Sequence, residues 1–313
     1  MWIPVFTSAA IILLILFSGG YVFWAACVRR KENPWFIEEE LKKTSYGKYY
    51  QLIVASDLWL KEHYAQDVYI TSDDGLKLHA HWVPVEDPNG TIILAHGYRS
   101  TKLVDFGAVF DLYHSLGMNI LVPDQRSHGL SEGKYITFGV KESGDMRNWI
   151  DFHNRELGSW QIILSGLSMG ASTMLYLADE NLPKNVKGII ADCGFTSPKD
   201  IISKVFTDVT HLPASLSIWA ADRFARIFAG FRLSQKDTRI SLSGSHVPVM
   251  MVHGKEDGFV PCKMTEQGFA ACTGPKHLLL VDGADHGLSY IVDRQRYTQM
   301  IQDFLKTNIE GFH

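Results

Sequence analysis

The strongest chemical signal in the chain is a G-x-S-x-G segment at residues 166–170, which follows an apolar run and precedes a helical pattern. A serine at such a strand-to-helix turn sits on strained backbone, and the flanking glycines leave room for the neighbouring strand and helix. The hydroxyl is then exposed at the tip of the turn, where the N-terminus of the helix favours developing negative charge. Ser168 is therefore the candidate nucleophile of an acyl transfer.

A serine hydroxyl is a weak nucleophile, so this chemistry needs a base and a carboxylate that orients the base. His286 follows the last predicted strand and is the candidate base, and Asp257 follows the strand before it and is the candidate carboxylate. Glu256, its neighbour, and Asp192, at the end of an earlier strand, stay open as alternatives for the acid. The chain order is nucleophile, acid, base, which is one of the known orders of a Ser-His-Asp triad.

Acyl transfer also needs hydrogen-bond donors for the oxyanion. Tyr98 lies in a His-Gly-Tyr loop that follows the predicted strand Thr91–Ala95, and this loop should face the nucleophile turn. The backbone N–H groups of Tyr98 and of Met169, next to the nucleophile, are the predicted donors, each worth about 3 kcal/mol of transition-state stabilisation. His96 is expected to hold the loop rather than to react.

Short apolar runs alternate with helical stretches from residue 68 onward. The predicted strands are Val68–Thr71, Leu76–Val83, Thr91–Ala95, Asn119–Val122, Gln161–Leu164, Gly188–Ala191, Pro248–Val252 and His277–Val281. A turn at 73–75 makes the first two strands a hairpin, and helical stretches such as Asp105–Leu116 and Lys141–Arg155 separate later ones. This alternation predicts an α/β fold with a mostly parallel, eight-stranded sheet and helices on both faces. Functional groups gather at the carboxyl ends of such strands.

The segment between Asp192 and Pro248 is longer than one crossover helix needs. Its large apolar residues are Phe206, Leu212, Leu216, Ile218, Trp219, Phe224, Ile227, Phe228 and Phe231. An insert at this place is expected to form a small helical cap over about residues 197–245. Most of these side chains should pack the cap onto the sheet, and an apolar cap favours an apolar acyl chain over a charged peptide.

The N-terminal end differs from the rest of the chain. Residues 1–28 contain no charged side chain, and the basic residues 29–31 follow at once. About 20 apolar residues cross a bilayer as a helix, so residues 1–31 are predicted to be a membrane anchor. A cleaved signal peptide carries its basic residues before the apolar run. Two alternatives remain. One is lipoprotein processing at Cys27, although Trp24 is a poor residue at the first position of such a processing motif, and the other is a buried core helix.

The cations after the span predict, by the positive-inside rule, a single-pass protein of the cell membrane with its bulk in the cytoplasm. Residues 32–66 are predicted to form a helical juxtamembrane segment, and residues 67–309 the catalytic domain.

The composition excludes several other classes of function. The 313 residues carry 30 Lys+Arg against 34 Asp+Glu and no basic run, so no nucleic-acid partner is expected. Four scattered cysteines without a C-x-x-C pair exclude a disulfide framework and a zinc knuckle, and Cys193 is expected to be a buried structural residue. His79 and His81 share one face of a strand but have no third ligand at a plausible spacing, so no metal site is predicted. Neither a Walker loop nor G-x-G-x-x-G occurs, which makes a nucleotide site unexpected.

Five segments in this order resemble the motifs of the α/β-hydrolase superfamily, namely residues 96–97, 124–131, 166–170, 253–257 and His286. Within it, the chain resembles the monoacylglycerol-lipase-like and serine-aminopeptidase-like branch, over about residues 68–306. The resemblance implies hydrolysis of an ester, thioester or amide through an acyl-enzyme, with no cofactor.

Together these observations predict a membrane-anchored serine hydrolase of the carboxylesterase or lipase type, acting on a small-molecule or lipid ester. A peptidase, thioesterase or acyltransferase that uses the same triad is the alternative, and a non-enzymatic binding protein of this fold is a third hypothesis. A peptidase would need an acidic residue for the substrate amine, and either Asp208 or Asp222 could serve. Haloalkane dehalogenase and epoxide hydrolase chemistry is excluded, because both need a carboxylate where Ser168 stands.

Overall fold

The computed structural model describes residues 3–30, 43 and 47–313, and it describes only the backbone of residues 3–9, 48 and 52–54. Most of the predicted juxtamembrane segment before residue 47 therefore lies outside the described residues. Its described part forms a short 3₁₀ turn, Gly47–Tyr49, that leads into a helix.

The core of the structure is one eight-stranded sheet. Its strands are β1 (Gln66–Thr71), β2 (Lys77–Val83), β3 (Gly90–Ala95), β4 (Met118–Pro123), β5 (Ile162–Leu167), β6 (Val186–Asp192), β7 (Val249–Gly254) and β8 (Lys276–Val281), in the spatial order β1-β2-β4-β3-β5-β6-β7-β8. β1 and β2 pair antiparallel, as do β2 and β4, and every later pair is parallel. The prediction of a mostly parallel, eight-stranded α/β sheet is confirmed.

Helices separate the strands and cover both faces of the sheet. They are α1 (Ile3–Cys27), α2 (Tyr50–Glu62), α3 (Lys102–Phe106), α4 (Phe110–Ser115), α5 (Glu142–Phe152), α6 (Met169–Leu175), α7 (Pro198–Thr210), α8 (Ser215–Phe224), α9 (Thr238–Ser243), α10 (Cys262–Ala271), α11 (Ser289–Val292) and α12 (Arg294–Asn308). The helix predicted over 105–116 is divided into α3 and α4 at Gly107. A Cβ at Gly107 would lie 2.3 Å from the Cβ of Ser56, so the glycine allows α2 to approach here.

Hydrophobic clusters form on both sides of the sheet, because successive side chains of a strand point to opposite faces. On β3, Ile92 and Leu94 pack with α4 and α12, whereas Ile93 and Ala95 pack with α5 and α6. A third cluster joins the cap helices, the end of α1 and Met169 beside the candidate nucleophile. The described end of the N-terminal helix thus shares a core with the cap.

Among the described residues, one helix is long and apolar enough to cross a membrane. It is α1, whose segment Ala10–Cys27 has a mean hydropathy of 2.2 and is 22% buried. A signal sequence or the core helix of a soluble protein can have the same length and composition. The large side chains of residues 11–14 are exposed, whereas Val22, Phe23 and Cys27 are buried.

Candidate active site

Ser168 lies in the turn between β5 and α6, and the surrounding glycines explain its position. Its φ of 56° and ψ of −115° are strained for a residue with a side chain. A Cβ at Gly166 would lie 2.3 Å from the carbonyl carbon of Gly170, and one at Gly170 would lie 1.7 Å from the oxygen of Ala95. Only glycine fits at both places, so the turn can bring the serine to the carboxyl edge of the sheet.

The structure brings the three predicted triad residues into one hydrogen-bonded chain. Nε2 of His286 lies 2.9 Å from Oγ of Ser168, and Nδ1 of His286 lies 2.7 Å from Oδ2 of Asp257. A neutral imidazole that donates its Nδ1 proton to the carboxylate accepts at Nε2, so the serine hydroxyl donates to the ring. This arrangement can take the proton from the serine as it attacks a carbonyl carbon.

Asp257 is held as a carboxylate by several donors. Its Oδ1 accepts from the backbone N–H groups of Phe259 at 2.9 Å and Val260 at 2.7 Å. Burial would raise the pKa of Asp257, but the hydrogen bonds from His253 and His286 outweigh burial and hold this pKa well below its usual range. The negative charge is therefore present at neutral pH to stabilise an imidazolium.

His253, to which sequence analysis assigns no role, supports this carboxylate. Its buried ring lies with Nδ1 2.7 Å from the Thr265 hydroxyl and Nε2 3.0 Å from Oδ2 of Asp257. The carbonyl oxygen of Val260 also lies 2.9 Å from Nε2. Because this oxygen and the carboxylate can only accept, Nε2 carries a proton that the two share. The signal in the sequence was a polar residue near the end of a buried apolar strand, since such a side chain needs a partner.

The two alternative acids have other partners. Oδ1 of Asp192 accepts from the Ser289 hydroxyl at 3.1 Å, and burial raises the pKa of Asp192. The exposed side chain of Glu256 accepts from the backbone N–H of Gly283 at 2.6 Å. The geometry therefore favours Asp257 as the partner of the histidine.

The loop after β3 lies against the nucleophile turn. A Cβ at Gly97 would lie 3.3 Å from the Cβ of Ser168, and the backbone N–H of Gly97 donates to the half-buried Asp105 carboxylate. Within residues 47–313, the amides of Tyr98 and Met169 have no acceptor in the structure. Both are available to an oxyanion, and that of Met169 is one of the N–H groups that the first turn of a helix leaves unpaired.

Two buried histidines hold this loop. Nε2 of His96 accepts from the backbone N–H of Gln125 at 3.0 Å, and Nε2 of His128 accepts from the backbone N–H of Arg99 at 3.0 Å. Nδ1 of each ring donates to a backbone carbonyl oxygen at 2.9 Å. Burial lowers the pKa of both rings, that of His128 to about 3, so both are neutral at pH 7.

The same loop is bonded to the end of α1. The Tyr98 hydroxyl donates to the carbonyl of Ala26 at 2.8 Å, and the Arg99 guanidinium donates to those of Ala25 at 2.7 Å and Val28 at 3.1 Å. The last carbonyls of a helix lack partners within it, and a cation is favourable there. The apolar helix is thus attached directly to the loop that carries a predicted oxyanion donor.

A possible metal-ligand cluster lies away from Ser168, on the β1–β2 hairpin. Asp67 on β1 supplies the third ligand atom that sequence analysis does not find for His79 and His81, and the three atoms lie within 4.8 Å of one another. Oδ1 of Asp67 is already hydrogen-bonded to Nε2 of His79 at 2.8 Å and lies 3.1 Å from Nε2 of His81. A metal would have to displace this hydrogen bond. Beside the triad, burial raises the pKa of the Cys193 thiol well above its ordinary value, which keeps this cysteine protonated at neutral pH.

Comparison with known proteins agrees with this architecture. Residues 90–225 match a family model described as the alpha/beta hydrolase fold. Protein YqkD of Bacillus subtilis is 29% identical over 226 residues, which are 72% of this chain and 73% of that protein. Protein YfhR of Escherichia coli K12 is 23% identical over 250 residues, or 77% and 80% of the two chains.

Among solved structures, the Pyrococcus furiosus esterase Pf2001 superposes with a TM-score of 0.63 at 22% identity, covering 80% of this chain and 94% of the esterase. At that identity the likeness shows the fold. The chain has the α/β-hydrolase fold.

Proposed function

We propose that this protein is a membrane-anchored serine hydrolase that cleaves carboxylic esters with an apolar acyl group. The observation that carries the proposal is the hydrogen-bonded chain from Ser168 through His286 to Asp257. It lies beside two amides suited to an oxyanion, those of Tyr98 and Met169. A nucleophile, a base, an orienting acid and oxyanion donors are the complete set for acyl transfer.

The reaction follows from the geometry. Oγ of Ser168 attacks the ester carbonyl carbon while its proton moves to Nε2 of His286, and the Asp257 carboxylate stabilises the resulting imidazolium. The amides of Tyr98 and Met169 donate to the oxyanion. His286 then gives its proton to the departing alkoxide, which leaves an acyl-enzyme. Water attacks this ester with His286 again as the base, and the carboxylic acid is released.

The apolar acyl group is proposed from the hydrophobic cluster that includes Met169, the neighbour of Ser168 in the chain. Met169 packs in this cluster with cap residue Ile218 and with Phe138 and Phe195. Apolar packing next to the nucleophile suits a hydrocarbon chain better than a charged substrate. Esterase activity in the Pyrococcus neighbour, as its name states, agrees with this assignment.

Membrane attachment is proposed from α1. Residues 1–31 serve as the anchor and 67–309 as the catalytic domain, which the cations after the span place in the cytoplasm. The length and apolar character of α1 support this proposal, and so do its exposed Tyr21 and Trp24, because aromatic side chains are enriched at membrane interfaces.

The test is hydrolysis of p-nitrophenyl esters from acetate to palmitate by the full-length protein in mild detergent. We expect turnover that peaks at one acyl length and falls roughly 10⁴-fold or more in Ser168→Ala. Labelling of Ser168 by a fluorophosphonate without turnover of any ester would favour the thioesterase, peptidase or acyltransferase alternative. The absence of both labelling and turnover would refute the assignment as a serine hydrolase.

A further inference from the structure

The N-terminal helix is mostly exposed over residues 10–17 and packed along its last turns. α1 has 25 residues, which makes it about 37 Å long at 1.5 Å per residue. Side chains such as Leu14 and Phe17 are exposed, whereas the helix contacts the cap from Ser18 onward.

The packed part of α1 lies directly on cap helix α8. Oγ of Ser18 lies 2.8 Å from Oγ of Ser217, and a Cβ at Gly19 would lie 2.3 Å from the Cβ of Ala220. Small residues at such a crossing let two helices approach closely, as in helix pairs within membranes. α1 and α8 therefore form one unit.

The apolar segment of α1 that is long enough to cross a membrane includes the packed turns. This segment, Ala10–Cys27, has 18 residues and is about 27 Å long at 1.5 Å per residue, which is close to the roughly 30 Å of the hydrocarbon core. A span over this segment includes the turns of α1 that pack on α8. Wherever α1 crosses the bilayer, α8 enters the same leaflet with it.

The exposed surface of the cap fits this position. Leu216 and Trp219 lie three residues apart on α8, Leu212 lies just before this helix, and Ile227 and Phe228 follow it. Each of these five residues, called here the cap stripe, is more than half exposed. A run of large exposed apolar side chains marks an interaction surface rather than a surface in water.

Cations border the cap stripe. The Arg223 guanidinium lies 5.1 Å from the centre of the Trp219 ring, and Arg226 is exposed in the next turn. Basic residues beside an apolar helix face suit the anionic headgroups of a cytoplasmic leaflet.

We propose that α1 and α8 insert together into one leaflet, so that the cap stripe binds the bilayer and the active site receives its ester substrate from the lipid phase. The ring of Phe228 in the cap stripe lies 6.0 Å from that of Phe23 in α1, centre to centre. Phe23 in turn packs in one apolar cluster with Ile218 of α8 and with Met169, the neighbour of the nucleophile. This inference rests on the proposed membrane attachment and the proposed ester substrate.

The depth of Trp219 tests the insertion. The full-length protein is reconstituted into phosphatidylcholine–phosphatidylglycerol vesicles with and without brominated acyl chains, which quench nearby tryptophan fluorescence. We expect Trp219→Phe to remove a quenched component, whereas Trp160→Phe, which changes a tryptophan outside the cap, removes none. If Trp24→Phe removes a quenched component and Trp219→Phe does not, the insertion of the cap is overturned while the proposed anchor is retained. If neither variant changes the quenching, the membrane attachment fails as well.

Charge on the cap stripe tests its consequence. Ile227 and Ile240 are both exposed isoleucines, so Ile227→Asp and Ile240→Asp form a matched pair. We expect Ile227→Asp to lower the ratio of vesicle-borne to soluble ester hydrolysis about tenfold, because an aspartate is costly in lipid. Ile240→Asp should leave this ratio within about twofold of the native value. An unchanged ratio in both variants, or a dimer through the stripe detected by light scattering, would overturn the proposal. The soluble-ester rate itself reports separately on the proposed hydrolase activity.

Discussion

Removing α1 in two steps separates the turns before Ser18 from the packed part. A chain that starts at Ser18 keeps the turns that pack on the cap, whereas a chain that starts at residue 31 loses Val22, Phe23 and Cys27, which are 8%, 7% and 1% exposed. Each buried side chain of this kind contributes about 2 kcal/mol, or roughly 6 kcal/mol for the three. That is comparable to the whole stability of a typical domain, about 5–15 kcal/mol.

The shorter chain also loses the acceptors of the oxyanion loop. The Tyr98 hydroxyl and the Arg99 guanidinium would be left without the three carbonyl oxygens to which they donate. Hydrogen bonds from a charged donor contribute about 1.5–3 kcal/mol each, so the position of the loop should be disturbed as well.

The assay combines urea unfolding in mild detergent with turnover of a soluble short-chain ester. We expect the chain from Ser18 to unfold near the native midpoint and to keep its turnover within about threefold, as expected for changes away from the packed structure. The chain from residue 31 should lose most of its stability and its turnover. Equal stability and turnover of the two chains would refute the reasoning that the end of α1 is part of the catalytic core.

Two further predictions concern the triad and the acid stability. Asp257→Asn should lower turnover about 10⁴-fold through a misoriented imidazole. The carboxyl of Asp192 bonds Ser289 instead, so Asp192→Asn should lower turnover less than about tenfold. If ester kinetics show a larger loss for Asp192→Asn than for Asp257→Asn, the assignment of Asp257 as the acid is wrong. The pKa of His128 is lowered from 6.5 to about 3, so only the unfolded state binds its proton between these values, and native stability falls as the pH drops below 6.5. In urea unfolding, His128→Gln should have a lower free energy of unfolding than the native protein at pH 7.5. On acidification, this free energy should fall less steeply in the variant, by up to about 1.4 kcal/mol per pH unit. Equal pH slopes in the variant and the native protein would contradict this.

The sheet was predictable because its strands carry local signals. Buried parallel strands have continuous apolar sequences, and a turn between two segments of alternating apolar and polar residues indicates a hairpin. The division of one predicted helix at Gly107 was not predictable, because it depends on the approach of Ser56 from an element about fifty residues away.

Around the site, local signals in the sequence were enough to identify the residues at strand ends, which are Ser168 between its glycines and Asp257 and His286 after later strands. They were enough because strand, turn and helix signals depend on near neighbours. The folded arrangement was needed to show which of three acids faces the histidine and that His253 contacts that acid. It was also needed to show that α1 packs on the cap and is bonded to the oxyanion loop. Those are contacts between distant parts of the chain, and no local pattern encodes the distance between two such side chains.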